Sequence, residues 1–283
     1  SSKKIYNDKG QWVDSEPAKF KPARSIDYVT KDFVVVGHME GQITISRDGG
    51  YTFDSIKLDT KQPVKSNEEI RIVKFSDSLT GIAMTYNLIF LTTDAGVTWS
   101  NIRNNINYSG AVVFQSAFIN DEFIYAGGFF SIDKGNTWTQ SHPIKNINGM
   151  YGVYFIDDKE GWCVGRRQVI PNTTLYTDVI LHTTNSGLDW ETQLDTLLYP
   201  ETGLTGDIYF ANRYEGLAYG GDKIWRTTDG GKNWYLDNSR WTEMDAFSEL
   251  VFPNGTTHKI LANEYIKGRI WMYEDITSVN EDQ

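Results

Sequence analysis

Carboxylate and imidazole groups are the side chains of this sequence that could catalyse hydrolysis or bind a metal. Glycosidases act with a pair of carboxylic acids, and Glu243 and Asp245 lie two residues apart, with Glu264 in a later loop. The same three residues also fit a solvated acidic rim. The histidines do not have the spacing of zinc ligands, so we predict neither a metal nor a cofactor; they are His38, His142, His182 and His258.

The elements that must position such residues are marked by a repeated eight-residue pattern, Ser/Thr-x-Asp-x-Gly-x-Thr-aromatic. It occurs at 46–53, 92–99 and 131–138, with looser copies at 183–190 and 227–234. The copies lie 39 to 52 residues apart, which is the length that a four-stranded propeller blade needs. We assign a structural role to the repeated positions Asp48, Gly50, Asp94, Gly96, Trp99, Asp133, Gly135, Trp138, Asn185, Gly187, Trp190, Asp229, Gly231 and Trp234.

The residue types of this pattern suit a tight turn better than catalysis or metal binding. The aspartate is expected to accept a hydrogen bond from a backbone N–H two or three residues later. The glycine supplies a positive φ, and the Ser/Thr hydroxyl closes further local bonds. The aromatic residue is expected to begin the next strand and to pack beneath the turn.

The repeats divide residues 1–283 into six four-stranded blades of a single all-β propeller domain. A second signature precedes the turn at 75–84, 155–165 and 210–220: an alternating strand, a polar turn and a strand rich in small residues. The sixth blade lacks the turn pattern, so we expect Gln11–Asp14, within residues 1–14, to pair beside Arg269–Tyr273 and close the ring. Seven blades are the rival count. The predicted blades cover 25–58, 69–103, 110–142, 150–195, 205–237 and 245–275.

The composition narrows the classes of partner and compartment. A net charge of −10 argues against nucleic acid and anionic lipid as partners. No apolar run is long enough to predict a transmembrane segment. The single cysteine, Cys163, is expected in a buried strand. The polar start of the chain fits the expectation of an exported protein, in the periplasm, at the cell surface or secreted.

The full repeat resembles that of the photosystem II assembly and stability factor family, most clearly at Gly161–Trp190 and Gly216–Trp234. The turns alone are similar to the Asp-box of bacterial neuraminidase repeats. The resemblance implies a β-propeller whose relatives are non-catalytic assembly chaperones, secreted or surface proteins, sialidases and xyloglucan-cleaving hydrolases. The sequence departs from sialidases, because Pro22–Ile26 lacks their Phe/Tyr-Arg-Ile-Pro motif and nothing gathers three of its arginines, which include Arg24, Arg71, Arg166 and Arg240. We therefore expect a non-catalytic binding or assembly scaffold, with a sialidase-like glycoside hydrolase as the alternative.

The expected binding surface is the face opposite the Asp-box turns. In a propeller the loops that join second to third strands, and one blade to the next, lie on that face. Aromatic and arginine side chains dominate binding hot spots, although the same aromatic residues could merely pack the loops. A protein or glycan partner is predicted there, and the candidate residues are His38, Tyr86, Phe129, Arg166, Arg167, Trp241, Glu243, Asp245, Glu264 and Tyr265.

Overall fold

The computed structural model describes residues 4–6, 12–14, 21–58, 69–85, 88–102, 116–144, 146–170, 176–196, 206–220, 223–237, 247–251, 259–264 and 270–274. The chain divides into two units, Ser1–Asn101 and Ile102–Gln283. Every regular element of the described part is a β-strand, apart from one turn of 3-10 helix at Met39–Gly41. The all-β prediction is therefore confirmed.

The first unit holds a two-stranded sheet and two four-stranded antiparallel sheets. Within each larger sheet the strands follow one another in chain order, each paired with the next. The elements are β1 (Lys4–Tyr6), β2 (Trp12–Asp14), β3 (Ala23–Tyr28), β4 (Val34–His38), β5 (Gln42–Ser46), β6 (Asp54–Lys57), β7 (Ile72–Phe75), β8 (Gly81–Met84), β9 (Ile89–Thr92) and β10 (Ser100–Asn101).

The second unit holds three four-stranded antiparallel sheets and one of three strands, again paired in chain order. The strands from β15 to β18 are the longest set, because β16 and β17 continue together into an extended hairpin. The elements are β11 (Ala117–Ile119), β12 (Ile124–Ala126), β13 (Phe129–Ser131), β14 (Thr139–Gln140), β15 (Ile147–Phe155), β16 (Gly161–Gln168), β17 (Tyr176–Thr183), β18 (Glu191–Thr196), β19 (Ile208–Phe210), β20 (Gly216–Gly220), β21 (Lys223–Thr227), β22 (Tyr235–Leu236), β23 (Phe247–Val251), β24 (Lys259–Glu264) and β25 (Ile270–Glu274).

The pairing predicted for the N-terminal strand does not occur among the described strands. Strand β2 pairs with β1, so that Trp12 lies opposite Tyr6. Strands β23, β24 and β25 form a sheet of three strands. A short hairpin closes a much smaller loop than a pairing between the two ends of the chain, and its entropic cost is correspondingly lower. The number of blades and the closure of a ring stay predictions.

The repeated pattern forms the turn between the third and fourth strand of each four-stranded sheet. In the first copy the Ser46 hydroxyl donates to the Asp48 carboxylate at 2.7 Å and accepts the N–H of Gly50 at 2.7 Å. The same carboxylate accepts the backbone N–H of Thr52 at 2.9 Å and its hydroxyl at 2.6 Å. The main backbone partner of the aspartate is thus four residues later, and the N–H three residues later, within the predicted range, makes a weaker contribution.

The geometry of this turn recurs in every four-stranded sheet. The predicted glycine has a positive φ, 98° at Gly50, which an L side chain rarely adopts. The residue before it is also left-handed, a feature that the sequence pattern did not reveal because Ala95, Lys134 and Ser186 occupy that position in three copies. Equivalent bonds to the fourth residue are made in the copies that contain Asp94, Asp133, Asn185 and Asp229.

A second repeated turn, between the first and second strands, holds the first one in place. Its leading polar side chain accepts two backbone N–H groups, as Asp77 does from Leu79 at 2.6 Å and from Thr80 at 2.6 Å. The carbonyl of Leu79 then accepts the N–H of Ala95 in the other turn at 2.9 Å. The equivalent leading residues are Thr30, Asn120, Asp157 and Asn212.

Aromatic side chains fill the space between neighbouring sheets of one unit. Phe75 ends the first strand of its sheet and lies edge-on between Phe33 of the preceding sheet, at 5.4 Å, and Trp99 of its own turn, at 5.9 Å. Phe155 and Phe210 occupy the equivalent position in the second unit. The glycine opposite is required because a Cβ on Gly161 would lie 2.5 Å from the Phe155 ring. Cys163 is buried in this core, as predicted, and its burial raises the pKa of the thiol.

One copy of the turn has exchanged the positions of its charged and neutral partners. Asn185 stands in the aspartate position, and its amide donates to the carboxylate of Asp189 at 2.9 Å. Asp189 stands where the first three copies have threonine, and it also contacts Nδ1 of His142 at 2.7 Å. The turn therefore keeps the same hydrogen bonds, but its one carboxylate belongs to the seventh residue of the pattern and not to the third.

We expect Asn185→Asp to lower the midpoint of urea unfolding at pH 7, because two carboxylates would then face each other without a donor between them. The double variant Asn185→Asp with Asp189→Thr restores the arrangement of the first three copies and should recover part of the loss. Circular dichroism during urea titration measures both effects. A double variant that is less stable than the single one would contradict the exchange.

The turn aspartates also predict a sensitivity to acid. Hydrogen bonds from the Thr52 hydroxyl and N–H and from the Ser46 hydroxyl lower the pKa of Asp48 to about 2. The ordinary value in an unfolded chain is about 3.9, so this stabilisation is fully present above about pH 4 and is lost as the pH falls toward 2. The pKa values of Asp94, Asp133 and Asp229 are lowered by the same kinds of bond.

We therefore expect the urea midpoint to fall between pH 4 and pH 2.5, and to fall less in the Asp48→Asn variant. Asparagine keeps an acceptor for the backbone N–H and has no proton to gain in this range. An equal fall in the variant and the parent protein would contradict the assignment.

Candidate functional site

The structure describes the side chains of four of the ten predicted binding residues: His38, Phe129, Arg166 and Arg167. Glu264 ends strand β24, and its side chain is outside the described part. The remaining predicted residues lie outside the described residues; they are Tyr86, Trp241, Glu243, Asp245 and Tyr265.

Phe129 does not have the exposure that was expected of it. Only 1% of its surface is accessible, and it begins strand β13 directly after a two-residue turn. Gly127 and Gly128 both have positive φ, which is typical of the tightest hairpin connection. The prediction of an exposed aromatic is therefore wrong at this position.

His38 is buried and supports the turn that follows it. Its Nδ1 lies 2.6 Å from the Lys21 carbonyl oxygen, and its Nε2 lies 2.7 Å from the Thr44 hydroxyl. Both ring nitrogens thus have partners in the protein. The position of His38 makes it a structural support beneath the surface and leaves little of its ring for a partner molecule.

The turn between β4 and β5, Met39–Gly41, is fixed by three backbone hydrogen bonds. Met39 N–H donates to the Pro22 carbonyl at 3.1 Å, and Leu58 N–H donates to the Gly41 carbonyl at 3.0 Å. Ile70 N–H donates to the carbonyl of His38 at 2.9 Å. Glu40 is held at φ 60°, a left-handed conformation that costs a residue with a side chain about 1–2 kcal/mol. Such strain persists where the surroundings fix the backbone, and it is often found at functional sites.

Charged side chains surround this turn and cross-link it. Lys21 Nζ lies 2.9 Å from Glu40. On the other side, Arg24 and Arg71 share Glu69, at 3.0 and 3.4 Å. One guanidinium nitrogen of Arg24 also lies 3.7 Å from the sulfur of Met39. We call Lys21, Arg24, Met39, Glu40, Glu69 and Arg71 the turn site.

The structure thus places Arg24 and Arg71 close together, although they were not grouped from the sequence. The repeat contained a signal for this, because the ends of β3 and β7 correspond: Tyr28 lies opposite Val34 as Phe75 lies opposite Gly81. Counting back four residues from each, Arg24 and Arg71 occupy the same position in consecutive repeats. Neighbouring first strands therefore present their arginines to one carboxylate.

Arg166 and Arg167 lie on the extended β16–β17 hairpin of the second unit, and each faces an aspartate. Arg166 Nε is 4.0 Å from the buried carboxylate of Asp178. Arg167 forms an ion pair with Asp195 and donates to the Thr192 hydroxyl at 2.6 Å. These contacts hold the two guanidinium groups along the hairpin, and any role in binding a partner stays a prediction.

Asp27 differs from the turn aspartates because burial raises its pKa, against the opposing effects of the Phe75 N–H and of Lys74. Its carboxylate accepts that N–H at 2.7 Å and so links β3 to β7. In the described part of the chain, no group of three His, Cys, Asp or Glu side chains is placed to hold a metal ion. No helix among the described residues could cross a membrane.

Comparison with known proteins places the chain by fold alone. No family model matches the sequence, and no curated protein matches it. An ancestral GH74 enzyme matches 93% of this chain with 12% identity and a TM-score of 0.60. The GH74 enzyme of Niastella koreensis matches 91% with 14% identity and a TM-score of 0.57. The chain spans only 40% and 46% of the lengths of these two enzymes.

A third solved structure, "YCF48 bound to D1 peptide", covers 89% of this chain and 91% of its own, with 15% identity. Its TM-score of 0.41 is too low to support an argument from that protein. At identities of 12–14% the likeness to the two GH74 enzymes supports a shared fold and does not bear on activity. In fold, this chain is similar to β-propeller proteins.

Proposed function

We propose that this chain is a non-catalytic binding or assembly-scaffold module that binds a protein or glycan on the face opposite the repeated Asp turns. The observation that carries the proposal is the turn site, a rigid turn held from below by His38 and flanked by cations. Strand β5 runs from this turn to the Asp48 turn, so the two turns lie at opposite ends of one strand. The proposal retains the six-bladed, closed propeller as its expected framework.

The rigidity of the turn favours binding. A surface that is already ordered loses little conformational entropy when a partner binds. The three backbone bonds and the two contacts of His38 fix the turn before any partner arrives. Met39 adds a flexible, polarizable side chain at the centre of the turn site.

The local charge favours a partner with an acidic surface. Lys21, Arg24 and Arg71 outnumber Glu40 and Glu69 in the turn site, although the whole chain has a net charge of −10. Arginine is one of the residues enriched among binding hot spots. A local excess of positive charge on an acidic protein would direct a complementary partner to this surface.

The chemistry of the repeated Asp turns supports a non-catalytic role. The turn carboxylates already accept several hydrogen bonds each, and their pKa values are lowered. A general acid needs a pKa close to the working pH, so these groups are unsuited to donate a proton. The alternative function, a glycoside hydrolase of sialidase-like type, would have to use other carboxylates.

The test replaces Met39 with a photo-crosslinking amino acid, p-benzoylphenylalanine, in the organism's own cells. A matched variant carries the same group at Tyr51, an exposed residue of the Asp48 turn. We expect a defined crosslinked product from position 39 and none from position 51. The product should disappear when Arg24 and Arg71 are both replaced by alanine, while circular dichroism shows that the variant is folded.

A product that forms at position 51 and not at position 39 would overturn the assignment of the face. Hydrolysis of a fluorogenic sialoside or of xyloglucan by the purified chain would overturn the non-catalytic role. Retention of glycans on an array by the parent chain, lost in the Arg24→Ala, Arg71→Ala variant, would identify a glycan as the partner at the same site.

A further inference from the structure

A small open pocket lies beside the turn site, at the end of the hairpin formed by β5 and β6. Its volume is about 150 Å³, and it is lined by Lys21, Glu40, Gln42 and Lys57. Gln42 and Lys57 are directly opposite each other in the paired strands, so their side chains lie on the same face of the sheet. We call these four residues the Lys57 pocket.

The polar groups of the pocket are fixed by neighbouring residues. The side-chain oxygen of Gln42 accepts the backbone N–H of Lys21 at 3.0 Å, and its nitrogen donates to the Ser55 hydroxyl at 2.7 Å. The two bonds set the orientation of the amide. Lys21 is held against Glu40 at 2.9 Å. One wall of the pocket is therefore an ion pair, and the other is formed by the Gln42 amide, whose nitrogen carries a second N–H besides the one that donates to Ser55.

The ammonium group of Lys57 differs from that of Lys21 because no carboxylate in the described part of the chain pairs with it. With Lys21 and Glu40 neutralising each other, the pocket has one net positive charge. An ammonium group that has no carboxylate partner among the described residues, beside an oriented amide, is suited to a group with one negative charge and two acceptor oxygens.

We propose that the Lys57 pocket binds a carboxylate of the partner protein, either an Asp or Glu side chain or a chain terminus. The proposal rests on the proposed function, since it names a chemical group of the partner bound at the same face. A carboxylate matches the single net charge. A phosphate dianion would exceed that charge, so it is disfavoured.

The pocket and the turn site are physically continuous. Lys21 and Glu40 belong to both, and the bond from Leu58 N–H to the Gly41 carbonyl joins the end of β6 to the turn. A partner segment that contacts Met39 can therefore place an acidic side chain in the pocket. The volume is many times that of one water site and is sufficient for a carboxylate on a short side chain.

The test measures binding of three capped peptides by NMR on the ¹⁵N-labelled full chain. The peptides are Ac-Gly-Gly-Glu-Gly-Gly-NH₂, its Gln counterpart, and Ac-Gly-Gly-Gly with a free C-terminus. We expect saturable shifts of the Lys57 ammonium and the Gln42 amide in the millimolar range with a carboxylate peptide, and none with the Gln peptide. The Glu peptide and the free C-terminus distinguish the two sources of the carboxylate.

Lys57→Gln should weaken this binding about tenfold or more, equivalent to about 1.4 kcal/mol. The matched control is Lys31→Gln, which removes the same charge from a residue of the same unit whose side chain is 90% exposed. We expect the control to bind like the parent chain. Inorganic phosphate serves as the competing anion and should bind more weakly than the carboxylate peptide.

Equal weakening by Lys31→Gln would show a general charge effect and overturn the pocket. Tighter binding of phosphate, or no saturable shift with either carboxylate peptide, would also overturn it. The failures remain separable. If a crosslink forms at position 39 but no peptide binds, only the carboxylate-binding role of the Lys57 pocket is contradicted. If a peptide binds but no crosslink forms, only the proposed function is contradicted.

Discussion

Replacement of Trp162 by alanine is expected to cost about 3–5 kcal/mol of stability, the range found when a buried aromatic residue is truncated. The indole is completely buried. It stacks on Phe210 of the next sheet at 3.6 Å and also lies 4.9 Å from the His182 ring. Truncation would leave a cavity between two sheets and deprive both rings of their partner. Urea unfolding followed by circular dichroism measures the loss.

Two control variants separate this effect from a general effect of losing an aromatic ring. Trp162→Phe keeps a ring between the same neighbours, so it should cost much less than the alanine variant. Tyr235→Ala removes a ring that is 61% exposed and should change stability by about 0.5 kcal/mol or less. A loss in Trp162→Ala no larger than that in Tyr235→Ala would contradict the view that packing between sheets stabilises the second unit.

The repeated turn could be predicted because its chemistry is local. The Ser46 hydroxyl, the Asp48 carboxylate and the Gly50 backbone interact within five residues of one another. Residue type and spacing therefore contain almost all of the information. The preceding left-handed position was missed because its occupants, such as Ala95 and Ser186, do not share a residue type that reveals the backbone angle.

Features that depend on strand register were harder to predict. Phe129 was placed in a loop, although the dipeptide Gly127-Gly128 signals a tight hairpin that starts the next strand at once. The pairing of Gln42 with Lys57 could not be read from the sequence, because the register of a hairpin depends on the length and form of its turn. The N-terminal strand was assigned to a distant partner, although the strand nearest in the chain was available.

The candidate site also combines features that depend on neighbouring residues with features that depend on contacts between distant parts of the chain. His38, predicted in the loop between the second and third strands, is the last residue of β4 and directly precedes the turn, and its burial depends on contacts with Lys21 and Thr44. The sharing of Glu69 by Arg24 and Arg71 joins residues of two successive repeats. Aligning the repeats would have placed the two arginines at one position, whereas the position of Glu69 follows only from the path of the chain before β7.

Replacement of Gly187 by alanine is expected to cost about 2–4 kcal/mol, through backbone strain and overpacking acting together. Gly187 has a φ of +83°, and a Cβ at this position would lie 2.7 Å from the ring of Tyr125. Tyr125 is completely buried and packs at 5.7 Å from Trp190 of the same turn. The ring therefore has no free space into which it could move.

The matched control is Gly41→Ala, which isolates the backbone contribution. Gly41 has a similar φ of +70°, but a Cβ added there would meet nothing within 4 Å, so only the backbone cost of about 1–2 kcal/mol should be lost. The urea midpoint should therefore fall further in Gly187→Ala than in Gly41→Ala, and the near-ultraviolet circular dichroism of the aromatic residues should change only in the former. Equal losses of stability in the two variants would show that the Tyr125 ring moves aside without an energetic penalty. The effect of Gly187→Ala would then come from the backbone conformation alone.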